Sequence, residues 1–82
     1  MQLVTPHRLR MFALDSLKGG QLVYHIGSIA SDASAASPLT APEMRNARKI
    51  RDLCLHFVDR GLITTTQRKI GPGMYEYIAV KI

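Results

Sequence analysis

Cysteine is almost absent from this sequence. Cys54 is the one thiol among 82 residues, so neither a disulfide framework nor a cysteine-rich zinc site can be built within the chain. A lone thiol fits a reducing, cytoplasmic setting. Tryptophan is missing altogether, and two Phe and three Tyr are few for the stacking platforms that single-stranded nucleic acid demands. No apolar run approaches the roughly 18 residues of a membrane span, and the N-terminus lacks the charged-then-apolar pattern of a signal peptide. No membrane partner is therefore expected. Acid is scarce too: six Asp and Glu stand against 11 Lys and Arg, for a net charge of +5 and a pI of about 9.9. That excess in so small a chain points to an anionic partner, nucleic acid first.

Catalytic constellations are equally hard to find. His7, His25 and His56 are scattered over three segments, with no Cys or acidic residue at ligand spacing. Cys54 and His56 lie two apart on a helix and face different directions. Gly71-Pro72-Gly73 lacks the Lys-Ser/Thr and the helix that a phosphate-binding loop requires. No enzyme activity, cofactor or metal is expected. With 46% hydrophobic residues, the chain reads instead as one small globular domain spanning residues 1–82.

The most informative stretch runs from Leu39 to Gly61, where every local signal agrees on one helix of about 18 to 20 residues. Thr40 is an N-cap with Glu43 three residues on, the pattern of a capping box, and Leu39 and Met44 hold the positions of a hydrophobic staple. Pro42 falls in the first turn, where its missing N–H is not needed. Ala47, Ile50, Cys54, Phe57 and Val58 share one face, which makes Cys54 a core residue, and Gly61 supplies the stop. The other face carries Arg45, Arg48, Lys49, Asp52, His56, Asp59 and Arg60, and its first half is basic without interruption. Surface ion pairs could absorb that charge: Arg48 with Asp52, and Lys49 with Glu43 or Asp52.

Elsewhere the chain reads as follows. Thr5 caps a helix expected over Pro6 to Lys18, with Leu9, Phe12, Ala13 and Leu17 inward and Gly19-Gly20 ending it. Gln21 to Ile26 is a strand, in which His25 either turns outward or is a satisfied core histidine. Ser28 to Ala33 forms one or two helical turns, and Ser34 to Pro38 is a loop. Leu62–Ile70 and Met74–Ile82 are strands joined by a three-residue Gly71-Pro72-Gly73 connection. Pairing Ile70 with Met74 sets Arg68 opposite Glu76, Thr66 opposite Ile78 and Leu62 opposite Ile82. Leu62, Ile78, Val80 and Ile82 then share one face; Gln67, Lys69, Tyr75, Tyr77 and Lys81 share the other.

This order, α-β-α-α-β-β with a C-terminal hairpin, resembles a winged helix-turn-helix domain, an α+β fold. The junction Phe57-Val58-Asp59-Arg60-Gly61-Leu62-Ile63 is similar to the end of the recognition helix in such domains, where an apolar helix runs through Gly-Leu-Ile into the wing. Residues 24–32 and 67–77 also resemble small uncharacterised proteins of phages and prophages. The link at 34–39 is longer than the tight turn of the family. The resemblance implies a small regulator of transcription that binds double-stranded DNA, its long helix in the major groove with the N-terminal half forward. Arg45, Asn46, Arg48 and Lys49 would read bases there, and Thr40 with the helix N-terminus would hold a phosphate. Arg68 and Lys69 at the wing would reach the neighbouring backbone or minor groove. Dimerisation would match a palindromic site, although the chain has no separate dimerisation element. The alternative on the same fold is a protein-interaction module, such as an antirepressor or an inhibitor of a host machine, with Tyr75 and Tyr77 on an exposed hairpin face as its anchors.

Overall fold

The computed structural model describes residues 4–34 and 39–82. Residues 1–3, and residues 35–38 of the loop expected at Ser34–Pro38, lie outside the described residues. The element order is α1 (Pro6–Asp15), β1 (Gln21–Gly27), α2 (Ile29–Asp32), α3 (Ala41–Asp59), β2 (Ile63–Gly71) and β3 (Met74–Lys81). Two full helices and a three-stranded antiparallel sheet in the order β1-β3-β2 make this a small α+β protein. The element between β1 and α3 is a single turn, so the second helix of the expected order amounts to four residues.

The helix ends follow local chemistry. The Thr5 hydroxyl accepts the Arg8 N–H at 3.1 Å, with Pro6 in the first turn of α1. At α3 both halves of the capping box form: Thr40 Oγ1 accepts from the Glu43 amide at 3.3 Å, and Glu43 Oε1 accepts from the Thr40 amide at 3.1 Å. The helix closes through a left-handed Gly61 (φ +72). Gly61 N–H donates to Val58 O at 3.0 Å and Leu62 N–H to Phe57 O at 3.0 Å, the paired bonds of a Schellman motif.

The first helix is shorter than the Pro6–Lys18 span expected from its apolar spacing. It stops at Asp15, and Leu17, expected inward, is 87% exposed. The sheet takes the following residues instead. Gly19 N–H donates to Lys81 O, and Lys81 N–H to Gly20 O, both at 2.8 Å. Extending the β1–β3 ladder to the two glycines pulls the chain off the helix axis, and Gly19 tolerates the φ of +87 that the turn requires.

Leu9, Phe12 and Ala13 of α1, Ala47, Ile50, Cys54 and Phe57 of α3, and Tyr24, Ile63 and Ala79 of the sheet are buried. Val58, expected on this face of α3, lies at its border and stays 36% exposed. The sheet's inner face carries Leu22, Tyr77 and Ala79 against this core, and Lys81 Nζ donates to Ala13 O at 2.6 Å. The two-face division of the hairpin holds, but the Tyr75/Tyr77 face turns toward the helices rather than outward. In β1 a bulge between Val23 and His25 breaks the alternation, so that Tyr24 and His25 are both buried while Val23 is half-exposed.

The hairpin keeps the expected pairs Arg68–Glu76 and Thr66–Ile78. Its tip differs. Gly71, not Ile70, pairs with Met74, which leaves a two-residue Pro72-Gly73 connection and an irregular step at Ile70. Proline fixes the first central position at negative φ and Gly73 takes +67 at the second, the type II combination. That turn matches strand twist poorly, and the extra residue at Ile70 absorbs the mismatch.

Candidate nucleic-acid interface

The exposed side of α3 is built by its periodicity. With Ala47, Ile50, Cys54 and Phe57 inward, Arg45, Arg48, Lys49 and Asp52 are left in solvent. The ion pairs that could have neutralised the cations do not form there. Asp52 pairs with Arg51 at 3.0 Å, and Glu43 is held by the Thr40 backbone and hydroxyl. Among the described residues no carboxylate lies within ion-pair distance of Arg45, Arg48 or Lys49. Arg48 is anchored at its root, its Nε donating to Ala33 O at 3.2 Å, where α2 ends. The bond fixes the direction of the guanidinium.

Two other sequence candidates have structural duties. The Thr40 hydroxyl donates to Glu43 Oε1 at 2.7 Å while accepting the Glu43 amide. It has no proton left for a phosphate, and a carboxylate already sits at the helix N-terminus. The hydrogen bonds to Thr40 hold the Glu43 carboxyl below its usual value. Asn46 turns away from the cations to donate its Nδ2 to Val4 O at 3.1 Å, tying the segment before α1 to α3. At the hairpin, Arg68 bonds Glu76 at 2.6 Å, while Lys69 is exposed and forms no ion pair among the described residues.

Tyr77 is not an exposed anchor. Its hydroxyl accepts the Ile29 amide at 3.2 Å, and its ring packs beside Tyr24 and His25. Tyr75 remains half-buried, with its ring centre 6.2 Å from that of Tyr77. The hairpin tyrosines therefore close the structure rather than offer it.

Sequence reading passed over three features. Arg10 of α1 joins Lys49, His56 and Asp52 around a shallow depression between α1 and α3. The signal was available only as two helix faces whose relative placement the sequence does not give. The second is a hydrogen-bonded pair inside the molecule: His25 Nε2 lies 2.7 Å from Asp32 Oδ2, with side chains 3% and 13% exposed. The third is a groove of about 400 Å³ between α3 and the sheet, lined by Tyr24, Arg51, Cys54, Leu55, Val58 and Gln67 among others. Burial, chiefly, pushes the Tyr24 phenol and the Cys54 thiol at its base above their ordinary values. Both stay protonated at neutral pH, so Cys54 is an inert core thiol.

Among the described residues no three His, Cys, Asp or Glu gather closely enough to hold a metal ion, and no helix is long and apolar enough to cross a membrane. Comparison with protein-family models, with curated proteins and with solved structures finds no match to this chain.

Proposed function

We propose that this chain is a small double-stranded DNA-binding domain of winged-helix type, a regulator that lays the first half of α3 in the major groove. One observation carries the reading. Arg45, Arg48 and Lys49 stand together in solvent on a rigid, doubly capped helix, without acidic partners among the described residues. Three unpaired cations on one helical face attract a polyanion over a Debye length of about 8–10 Å. Arginine side chains of this kind bond guanine edges in bidentate fashion. Lys69 on the hairpin adds a contact to the flanking phosphates. Arg68 contributes less, because Glu76 neutralises it. Asp52 and Asp59, further along α3, keep the second half of the helix away from the backbone, so docking is N-terminal half first.

The test is binding of mixed-sequence duplex DNA by fluorescence anisotropy over a salt series. Each phosphate contact contributes about 0.9 to the log–log slope. Removing all three cations in Arg45→Ala/Arg48→Ala/Lys49→Ala flattens that slope by roughly two to three. Lys69→Ala alone flattens it by about one. A wild type that fails to bind duplex even at low salt overturns the reading.

A further inference from the structure

We propose that a second copy of this chain pairs with the free edge of β2, antiparallel and in a register centred on Thr66, so that two three-stranded sheets become one. β2 is at the margin of the sheet, and backbone bonds fix which of its groups point away from β3. The Ile82 amide donates to Leu62 O at 3.2 Å, so Leu62 faces β3. Lys81, opposite Ile63, directs both its backbone groups the other way, to Gly19 and Gly20. By the alternation of an antiparallel ladder, Thr64, Thr66 and Arg68 direct N–H and C=O to β3. Ile63, Thr65, Gln67 and Lys69 turn theirs outward.

This edge lacks the usual protection. Proteins blunt sheet margins with short strands, prolines, bulges or charge. β1, the opposite margin, is broken by the bulge before His25. β2 has nine residues, no proline, and regular register from Ile63 to Lys69. Its charges, Arg68 and Lys69, sit at one end and leave Ile63–Gln67 uncharged.

The occupant is a second copy because the segment is self-complementary. Outward residues must meet outward residues, so the two-fold axis falls on a residue. With the axis at Thr66, Thr65 meets Gln67 of the second copy, Thr64 meets Arg68 and Ile63 meets Lys69. Every outward residue is then paired, like charges never face each other, and the centre consists of Thr and Gln pairs of the kind that stabilise sheets. Moving the axis to Thr65 or Gln67 sends Lys69 opposite Gly61, outside the strand, or Ile63 opposite Gly71, past the bulge. A continuous sheet also keeps both long helices on one face. Leu55, 58% exposed, and Val58 line the groove beside this edge, and the second copy's helix and strand cover them. The pairing stands apart from the DNA reading and holds or fails without it.

Sedimentation velocity of the full chain, from low micromolar to near-millimolar concentration, is expected to show a monomer–dimer equilibrium. Thr65→Pro removes an outward N–H but none of the bonds to β3, a position where strands accept proline. It should keep the wild-type circular dichroism and raise the dimer dissociation constant about tenfold or more. A second readout does not depend on that variant folding. In a Cys54→Ser background, the two Thr66→Cys positions form a non-hydrogen-bonded pair about 4.5 Å apart, within disulfide reach. Oxidation should then trap a covalent dimer that Thr64→Cys does not give. A monomer at every concentration overturns the proposal, as does a dimer that folded Thr65→Pro leaves intact, or crosslinking as efficient from Thr64→Cys as from Thr66→Cys.

Discussion

Two hydrogen-bonded side-chain pairs in this protein have nearly the same length and very different surroundings. His25 and Asp32 meet at 2.7 Å with side chains 3% and 13% exposed, whereas Arg68 and Glu76 meet at 2.6 Å with side chains 70% and 21% exposed. Distance alone would rank them equal. Burial separates them: in the interior each group depends on the other for its hydrogen bond, while at the surface water replaces a lost partner. The first pair joins β1 to α2 and so fixes the turn that leads toward α3. The second decorates a hairpin that the ladder already holds.

The most damaging way to break the interior pair is to remove one member. Asp32→Ala leaves the buried imidazole of His25 without its partner, and the expected loss is about 2–3 kcal/mol. For a domain this small, that lowers the melting temperature by about 10 °C or more. Asp32→Asn should recover much of the loss, because an amide offers both a donor and an acceptor to Nε2. Urea or thermal unfolding of the two variants checks both points. If Asp32→Ala costs no more than a surface substitution, burial does not govern this pair.

The pair can also be disturbed from beside it. Gly27 has a φ of +129, and a Cβ there would lie 2.6 Å from Asp32 Oδ2. Gly27→Ala must therefore bear backbone strain and push the carboxylate off His25 at once, at an expected cost of about 1–2 kcal/mol. Combined with Asp32→Ala, the two costs should sum to less than their separate values, since both act on one contact. Additivity within about 0.5 kcal/mol would show that the glycine acts through its own backbone alone.

The contrast between the pairs is also the contrast between what could and could not be read from the sequence. Arg68–Glu76 was legible because register follows from alternation once two strands are joined by a short turn, even though the turn proved one residue shorter than expected. Both ends of α3 were legible for the same reason: Thr40, Glu43 and Gly61 act within a few residues. His25–Asp32 was not, because strict alternation leaves His25 on Val23's side of the strand, and the bulge between them depends on how β1 meets β3. Tyr77 was misplaced at the same step. The sequence separates the two faces of a strand but does not say which one the helices will cover. The Arg45–Lys49 face was legible as exposed, whereas Asn46, drawn off to Val4, and Arg10, brought beside Lys49, depend on how α1 packs on α3.

Exposure by itself does not make a polar contact negligible, and the Thr40 cap sharpens the rule. Thr40→Ala removes the acceptor for an orphan helix N–H, with an expected cost of about 1 kcal/mol. Part of that is pH-dependent. Hydrogen bonds to Thr40 lower the Glu43 carboxyl from its ordinary 4.5, so the stabilisation is fully present above that value and is lost as pH falls through the lowered one. The stability gap between wild type and Thr40→Ala should thus narrow in acid, as pH falls below 4.5. A gap that stays constant to pH 2, as measured by thermal unfolding, would show that Glu43 takes no part in the cap.

Arg68→Ala should be the mildest of these changes. The guanidinium is 70% exposed, so its attraction to Glu76 is screened, and water takes over its hydrogen bonds when it is gone. The expected loss is under about 0.5 kcal/mol at physiological salt and close to nothing at high salt. Glu76 is better covered than its partner, which sets a limit to this expectation: the carboxylate, at 21% exposure, gives up a bond in a place only partly open to water. Glu76→Gln distinguishes the two sources of any loss. If Arg68→Ala is costly and Glu76→Gln is not, the cost lies in stranding the carboxylate rather than in breaking the pair. Were Arg68→Ala instead to destabilise as much as Asp32→Ala, and to do so at high salt, the argument from burial would fail for this protein.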